Sequence, residues 1–327
     1  MAKTCQGCLI PVMKDVAVRP QEKFSDPLVT VKGEQRAWVD LKALNTLWFN
    51  TGTLCNIACV NCYIESTPKN DRLVYLAHNE VVEFLDEIRR EKYPTEEIGL
   101  TGGEPFMNPD IIPIMEECLK RGFRLLVLTN AMRPMMRHTE SLLRLHKEYS
   151  AQMTLRVSVD HFKPELHEEE RGPRTWEPMM KGLKWLSDNN FTIDIAGRTR
   201  WGESEDVLRQ GFANFFKEHN IQIDAYNSKQ LMLFPEMDEK AAVPEITTAC
   251  WSILGVSPDD MMCASSRMVI KRKGDNKPVV QACTLLPYDE QFTLGKTLKE
   301  ASRSVHLNHP HCAKFCVLGG GSCSVKT

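Results

Sequence analysis

No uninterrupted apolar run in this 327-residue chain approaches the ~18 residues a bilayer span requires, and Met1 to Pro11 has neither the basic nor the apolar region of a secretory signal. Net charge is nearly absent: 41 Lys and Arg against 43 Asp and Glu leave −2 with His neutral. The chain therefore offers no basic field to nucleic-acid phosphates or to an anionic membrane surface. Internal repeats, low-complexity tracts and long linkers are missing as well. These absences predict a cytoplasmic protein that binds neither nucleic acid nor membrane and that acts on a small-molecule or peptide substrate.

What is present is ordinary globular composition, 42% hydrophobic and 26% charged, over a length that suits one large domain or a domain with an appendix. Twelve cysteines in a reducing compartment do not suit a disulfide framework, so their spacing is read for metal ligation or redox chemistry.

Between about Thr46 and Ala225, short apolar runs alternate with helical patterns. Leu47 to Asn50, Ile98 to Thr101, Phe123 to Thr129, Thr154 to Asp160, Phe191 to Ala196 and Ile221 to Ala225 read as buried strands. Val81, Phe84, Leu85 and Ile88 make one apolar helix face, Ile111, Ile114, Met115 and Cys118 a second, and Trp176, Met179, Met180 and Leu183 a third. Asn108 is expected to cap the second helix, with Pro109 at its first position and Gly122 just past its end. Repeated strand and helix units imply an α/β fold with a parallel sheet, either a partial TIM-like barrel or an open doubly wound sheet.

Residues 1–45 read as a strand-and-loop lead-in, 46–235 as the α/β body and 236–327 as a proline-rich, cysteine-rich appendix. Within the last region, Met268 to Lys271 and Pro278 to Gln281 flank the turn-forming Gly274-Asp-Asn-Lys and predict a β-hairpin.

Cys55, Cys59 and Cys62 follow the first predicted strand with C-x3-C-x2-C spacing, and Tyr63 follows them. Three thiolates leave one iron of a cubane without a protein ligand, and an open position is what a catalytic metal needs. This triad resembles the signature of the radical S-adenosylmethionine (SAM) superfamily. Thr101-Gly102-Gly103-Glu104-Pro105 resembles its GGEP motif, and Thr129-Asn130-Ala131 its strand-end turn. Ser158-Val-Asp160, followed by His167 to Arg171-Gly172, resembles the S-x-D and H-x3-R-G pattern of the subgroup with SPASM or Twitch extensions. All four motifs stand at predicted strand ends in the superfamily's order.

The resemblance implies a partial (β/α)6 barrel and an oxidoreductase that cleaves SAM reductively at a [4Fe-4S] cluster and abstracts hydrogen from a small molecule, with a peptide-modifying maturase as alternative. It implies that Glu104 accepts from the SAM ammonium, Ser158 contacts the ribose and Arg171 the SAM carboxylate, with Tyr63, Gly102, Gly103, Asn130 and Asp160 completing the cofactor site. A flavodoxin or ferredoxin type of electron donor is implied too. Of Cys263, Cys283, Cys312, Cys316 and Cys323, four are expected to hold an auxiliary [4Fe-4S] cluster, with zinc as the competing metal. Peptide-modifying relatives often add an N-terminal recognition domain, for which 45 mixed residues leave little room. A non-catalytic metal-binding scaffold is the rival from another class.

His161, His167 and Arg198 read as hydrogen-bonded structure before proton relay, and Met132, Met135 and Met136 as core filling. Cys118 reads as an inert buried thiol, and Cys5-Gln-Gly-Cys8 as a stray pair near the terminus.

Overall fold

The computed structural model describes residues 22–236 and 242–319. Cys5, Cys8 and Cys323 lie outside them. The described strands are β1 (Trp38–Val39), β2 (Thr46–Asn50), β3 (Glu97–Thr101), β4 (Arg124–Thr129), β5 (Met153–Ser158), β6 (Thr192–Arg198), β7 (Leu231–Phe234), β8 (Ser266–Ile270), β9 (Val279–Gln281), β10 (Thr293–Gly295) and β11 (Val305–His306). The helices are α1 (His78–Glu91), α2 (Ile111–Lys120), α3 (Arg133–Met136), α4 (Thr139–Tyr149), α5 (Pro164–Arg171), α6 (Trp176–Asp188), α7 (Glu205–Glu218) and α8 (Cys250–Leu254). None of them is long and apolar enough to cross a membrane.

One nine-stranded sheet runs β10-β9-β8-β2-β3-β4-β5-β6-β7, and β1 pairs separately with β11. From β8 to β7 seven neighbours are parallel; β9 and β10 are antiparallel and finish one edge. The sheet does not close on itself, as expected of a partial barrel. Alternation along β2 shows how its two faces differ. Leu47 and Phe49 join the core shared with the helices, while Trp48 belongs to an inner cluster with Leu126, Met268 and Ile270. Trp48 is paired in register with Gly99, and its indole fills the space a Cβ there would need.

The three apolar helix faces are α1, α2 and α6, with Phe84, Leu85, Ile114, Met115, Met179 and Leu183 all buried. The hairpin across Gly274 is also present, with Met268 opposite Gln281 and Ile270 opposite Val279. Its first strand has a further partner that local sequence does not announce, since β8 pairs in parallel with β2.

Two expectations are corrected. Ile221 to Ala225 is not a strand: Asn220 turns left-handed (φ 55°) after α7 and Ile221 N–H donates to Phe216 O at 2.8 Å, so Ile221 closes the helix. The sixth body strand is β7, ten residues later. The start of α2 is the second: Asn108 Oδ1 accepts from Asp110 N–H at 2.8 Å, as a capping side chain does, while its amide donates to Thr51 O and Leu76 O at 3.0 and 2.9 Å, but the regular helix begins later than expected. The helix starts at Ile111 with Asp110 at its cap position, and the Asp110 carboxylate accepts instead from His78 N–H, the first of α1.

Candidate functional site

A single cavity at the C-terminal ends of the strands gathers most of the residues singled out by sequence. Cys55, Cys59, Cys62, Tyr63, Gly102, Gly103, Asn130, Ser158, Asp160 and Arg171 all line it. This is the end of a parallel α/β sheet where ligands bind.

The cysteine loop is seated on the glycine pair by backbone. Gly103 N–H donates to Gly52 O at 2.8 Å and Glu104 N–H to Leu54 O at 3.1 Å, extending the β2 and β3 pairing past the strand ends. Gly102 has φ 142°, and a Cβ on Gly103 would strike the carbonyl of Leu54. The residue before Cys55 therefore comes as close as only glycine permits.

Glu104 is buried and is not among the cavity-lining residues. Its Oε1 accepts from Thr129 Oγ1 at 2.9 Å and from Phe106 N–H at 3.2 Å, and its Oε2 from Asn130 N–H at 2.8 Å. Burial pushes its carboxyl up to about 7, against the pull of those donors. Asn130 turns its amide to Asn56 Oδ1 at 2.9 Å, with Cys55 Sγ at 3.9 Å. Ala131 sits in the left-handed region (φ 56°) and closes this turn through Thr129 Oγ1.

On the opposite wall, Arg171 Nε is 2.6 Å from Asp160 Oδ2, and Arg198 Nε is 3.4 Å from Oδ1. Burial alone would raise the Asp160 carboxyl, but the two guanidiniums hold it below its ordinary value. Burial pushes Cys55 up to about 12 and raises Cys59, and Arg171 opposes both shifts. Ligation requires thiolates, and the Arg171 guanidinium is the cation placed to favour them. Ser66 N–H donates to Cys62 Sγ at 3.3 Å.

The residues therefore fit an iron-sulfur cluster with one open iron. Three thiols on one loop line a cavity with bare glycine backbone, a hydroxyl and an arginine. Among the described residues, no three His, Cys, Asp or Glu side chains converge tightly enough for a single metal ion. A cubane, with one thiolate per iron, spreads its ligands further than that.

Several cavity residues were not foreseen. Arg156 lines it from the inner face of β5 and lies 3.2 Å from Asp194, and Phe234, Leu285 and Phe315 supply an apolar wall. The Phe234 and Phe315 rings stack 6.1 Å apart at 15°, bringing the C-terminal region over the mouth of the body. Glu170 was missed because it sits in a run of three glutamates. The one available signal was its place with His167 and Arg171 at i, i+3 and i+4 of α5.

His161 and His167 do not line the cavity. His161 is buried with Nε2 3.3 Å from Glu203, and His167 packs edge-on against Trp176. Met132 and Met135 are core, and burial pushes the Cys118 thiol up to about 12.

In the C-terminal region Cys263 precedes β8, Cys283 follows β9, and Cys312 and Cys316 share a π-helical turn. Cys312 is pushed well above the ordinary thiol range by burial, and Cys283 and Cys263 lie close enough to add to that shift. The buried Arg267 donates to Cys263 O and feels both Cys263 and Cys283. Cys250 Sγ accepts from Thr247 N–H at 3.4 Å.

Residues 49–199 match the family described as the radical SAM superfamily. Over 143 residues the chain is 30% identical to the antilisterial bacteriocin subtilosin biosynthesis protein AlbA of Bacillus subtilis (strain 168), covering 43% of this chain and 30% of that protein. It is 29% identical over 145 residues to an AdoMet-dependent heme synthase of Methanosarcina barkeri (strain Fusaro / DSM 804), covering 43% of this chain and 38% of that one. The chain thus spans about a third of the length of these two relatives. Among solved structures, Streptococcus suis SuiB bound to S-adenosylmethionine aligns at a TM-score of 0.57 with 13% identity, over 78% of this chain and 63% of its own. The anSMEcpe protein with bound AdoMet aligns at 0.55 with 16% identity, over 78% of this chain and 76% of its own. Both likenesses show the fold. The ordered motifs, the sheet and the family match agree, and residues 49–199 of this chain are a radical SAM domain.

Proposed function

We propose that this protein is a radical SAM oxidoreductase whose Cys55, Cys59 and Cys62 hold a [4Fe-4S] cluster. The observation that supports it is the single cavity that carries these three thiols together with Gly102, Gly103, Asn130, Ser158, Asp160 and Arg171. Held by those three thiolates, such a cluster would supply the electron for reductive cleavage of SAM and so for hydrogen abstraction from the substrate.

This chain's own residues bind, orient and shield. Gly102 and Gly103 give close backbone access at the strand end, Ser158 offers a hydroxyl to a ribose, and Tyr63 lines the same chamber. Arg171, held by Asp160, presents a planar cation suited to the SAM carboxylate. Glu104 holds the Asn130 turn beside the cavity through its Oε2. Ile64, Phe234, Leu285 and Phe315 keep water from the reacting centre. Four of Cys263, Cys283, Cys312, Cys316 and Cys323 would hold an auxiliary cluster in residues 236–327, and a flavodoxin or ferredoxin in the cytoplasm would supply electrons.

The substrate is a small molecule in the first reading. A second reading, a peptide-modifying enzyme, is favoured by the likeness to a bacteriocin biosynthesis protein. The test of the common step is anaerobic incubation of the iron-loaded protein with SAM and dithionite. Formation of 5'-deoxyadenosine is expected; a protein that takes up iron and yields none would instead be a metal-binding scaffold.

A further inference from the structure

The Cys59 to Cys62 half of the cysteine loop has no regular secondary structure, so its backbone groups must be satisfied from elsewhere. They are satisfied by the last turn of α5. Glu170 O accepts from Val60 N–H at 2.8 Å. Glu170 Oε1 accepts from Asn61 N–H and Oε2 from Asn61 Nδ2, each at 3.0 Å. Arg198 Nη2 donates to Asn61 O at 3.2 Å. Asn61, midway between two of the three thiols, is thereby held through its backbone N–H, its carbonyl and its side-chain amide.

Glu170 is fully buried. A carboxylate removed from water is costly unless charge and hydrogen bonds replace its hydration. Arg200 Nη1 lies 2.6 Å from Oε2 and Arg198 Nη2 3.8 Å from Oε1, so two cations face it. A loop that only needed attachment to the body could use backbone bonds or apolar contact, without a buried ion network. The adjacent residue shows what the network adds. Arg171 leaves the same helical turn to reach Asp160, and it is the cation nearest Cys59 in electrostatic effect. One helix end therefore fixes both the thiol pair and the guanidinium that faces it.

We propose that Glu170 is a positioning residue: through Asn61 it sets the Cys59 and Cys62 ligands and registers them against Arg171, so that cluster retention and the response to SAM both depend on it. This rests on the cluster assignment above. Glu170 touches neither substrate nor cofactor and acts through the loop. Partners that hold metal ligands in this way typically carry about 10–100-fold in metal affinity.

The experiment uses the full chain, reconstituted anaerobically, with iron release to a chelator and the EPR spectrum of the reduced protein, with and without SAM, as readouts. Only a cluster with an open iron changes its spectrum on adding SAM. Glu170→Gln turns an NH2 group toward Asn61 Nδ2 and Arg200, donor against donor. It is expected to release iron about 10–100-fold faster and to lose the SAM-induced spectral change. Asn61→Asp, which sets carboxylate against carboxylate, is expected to do the same. Combining the two restores a donor facing an acceptor with the charge moved from helix to loop, and should recover the retention and the spectral response. Glu169→Gln, one residue away and exposed, should change neither. If Glu170→Gln does not fold, Asn61→Ala removes one hydrogen bond to a charged group and is expected to speed iron release about ten-fold.

Wild-type retention in the single variants overturns the proposal, as does a double variant no better than the singles. In both cases the wild-type protein still shows a SAM-responsive cluster, so the radical SAM reading stands. A wild-type protein with no SAM-responsive cluster overturns that reading and this inference with it.

Discussion

Glu104 Oε2 accepts from Asn130 N–H at 2.8 Å, tying the end of β3 to the turn that follows β4 without exposing the carboxylate to the cavity. Burial raises its carboxyl from 4.5 to about 7. Between those values the folded protein keeps a proton that the unfolded chain has released, so rising pH removes stability, about 3 kcal/mol across the window. Glu104→Gln cannot titrate. In iron-free protein its melting temperature should gain on wild type as pH rises from 5 to 8, and a difference that stays constant would contradict the burial of this charge.

His167 works in the opposite direction over part of that range. Its ring is buried against Trp176, and burial lowers its pKa from 6.5 to about 4, with Arg171 adding to the effect. Below pH 6.5 the unfolded chain binds a proton that the folded protein refuses, so stability is lost as pH falls toward 4, again by about 3 kcal/mol. His167→Phe keeps an aromatic ring beside Trp176 and should remove that loss. In wild type the two groups nearly cancel between pH 4.5 and 6.5. Thermal melts should therefore show stability rising with pH in Glu104→Gln and falling in His167→Phe over this interval.

The motifs were legible because each carries its chemistry in a few consecutive residues at a strand end. Cys55 to Tyr63, Thr101 to Pro105, Thr129 to Ala131 and Ser158 to Asp160 need only the parallel sheet to bring them to one cavity, and repeated strand and helix units announced that sheet. What was illegible depends on partners distant in sequence. The hairpin of β8 and β9 was visible locally, but nothing in Ser266 to Ile270 says that β2 is its parallel neighbour. Leu285 and Phe315 reach the cavity only because the C-terminal region folds back over it. Glu170 reads like the solvated Glu169 beside it until the Asn61 contacts separate them. Ile221 to Ala225 misled because Ile221 and Ile223 alternate as a strand does, whereas the first of them closes a helix.

Gly103 offers a sharper test of the loop seat than of ligand access. A methyl group there meets the Leu54 carbonyl, which is backbone and cannot rotate away. Gly103→Ala should push Cys55 out of register while β3, buried on both faces, keeps its pairing. The expected result is a folded protein with a near-native far-UV spectrum that has lost most of its SAM cleavage and part of its iron. Normal iron content with weakened SAM binding would show that the glycine serves the ligand and not the loop.

The C-terminal thiols can be counted separately from the triad. Cys263 and Cys283 lie near enough to add to the upward shift of Cys312, and Cys316 lies one turn from Cys312 on the same helical segment. They pack against the main core, which brings β8 into the sheet and Phe315 over the cavity. Two four-iron clusters predict about eight irons per chain after anaerobic reconstitution. Replacing Cys55, Cys59 and Cys62 together with alanine should leave about four, with the spectrum of a cluster that does not respond to SAM. Replacing Cys283 and Cys316 should remove the other four and make residues 242–319 more sensitive to protease, because bound metal contributes folding free energy to the segment that ligates it. Loss of all iron from the triad variant, or zinc in its place, would overturn the auxiliary cluster and leave the assignment of Cys55, Cys59 and Cys62 untouched.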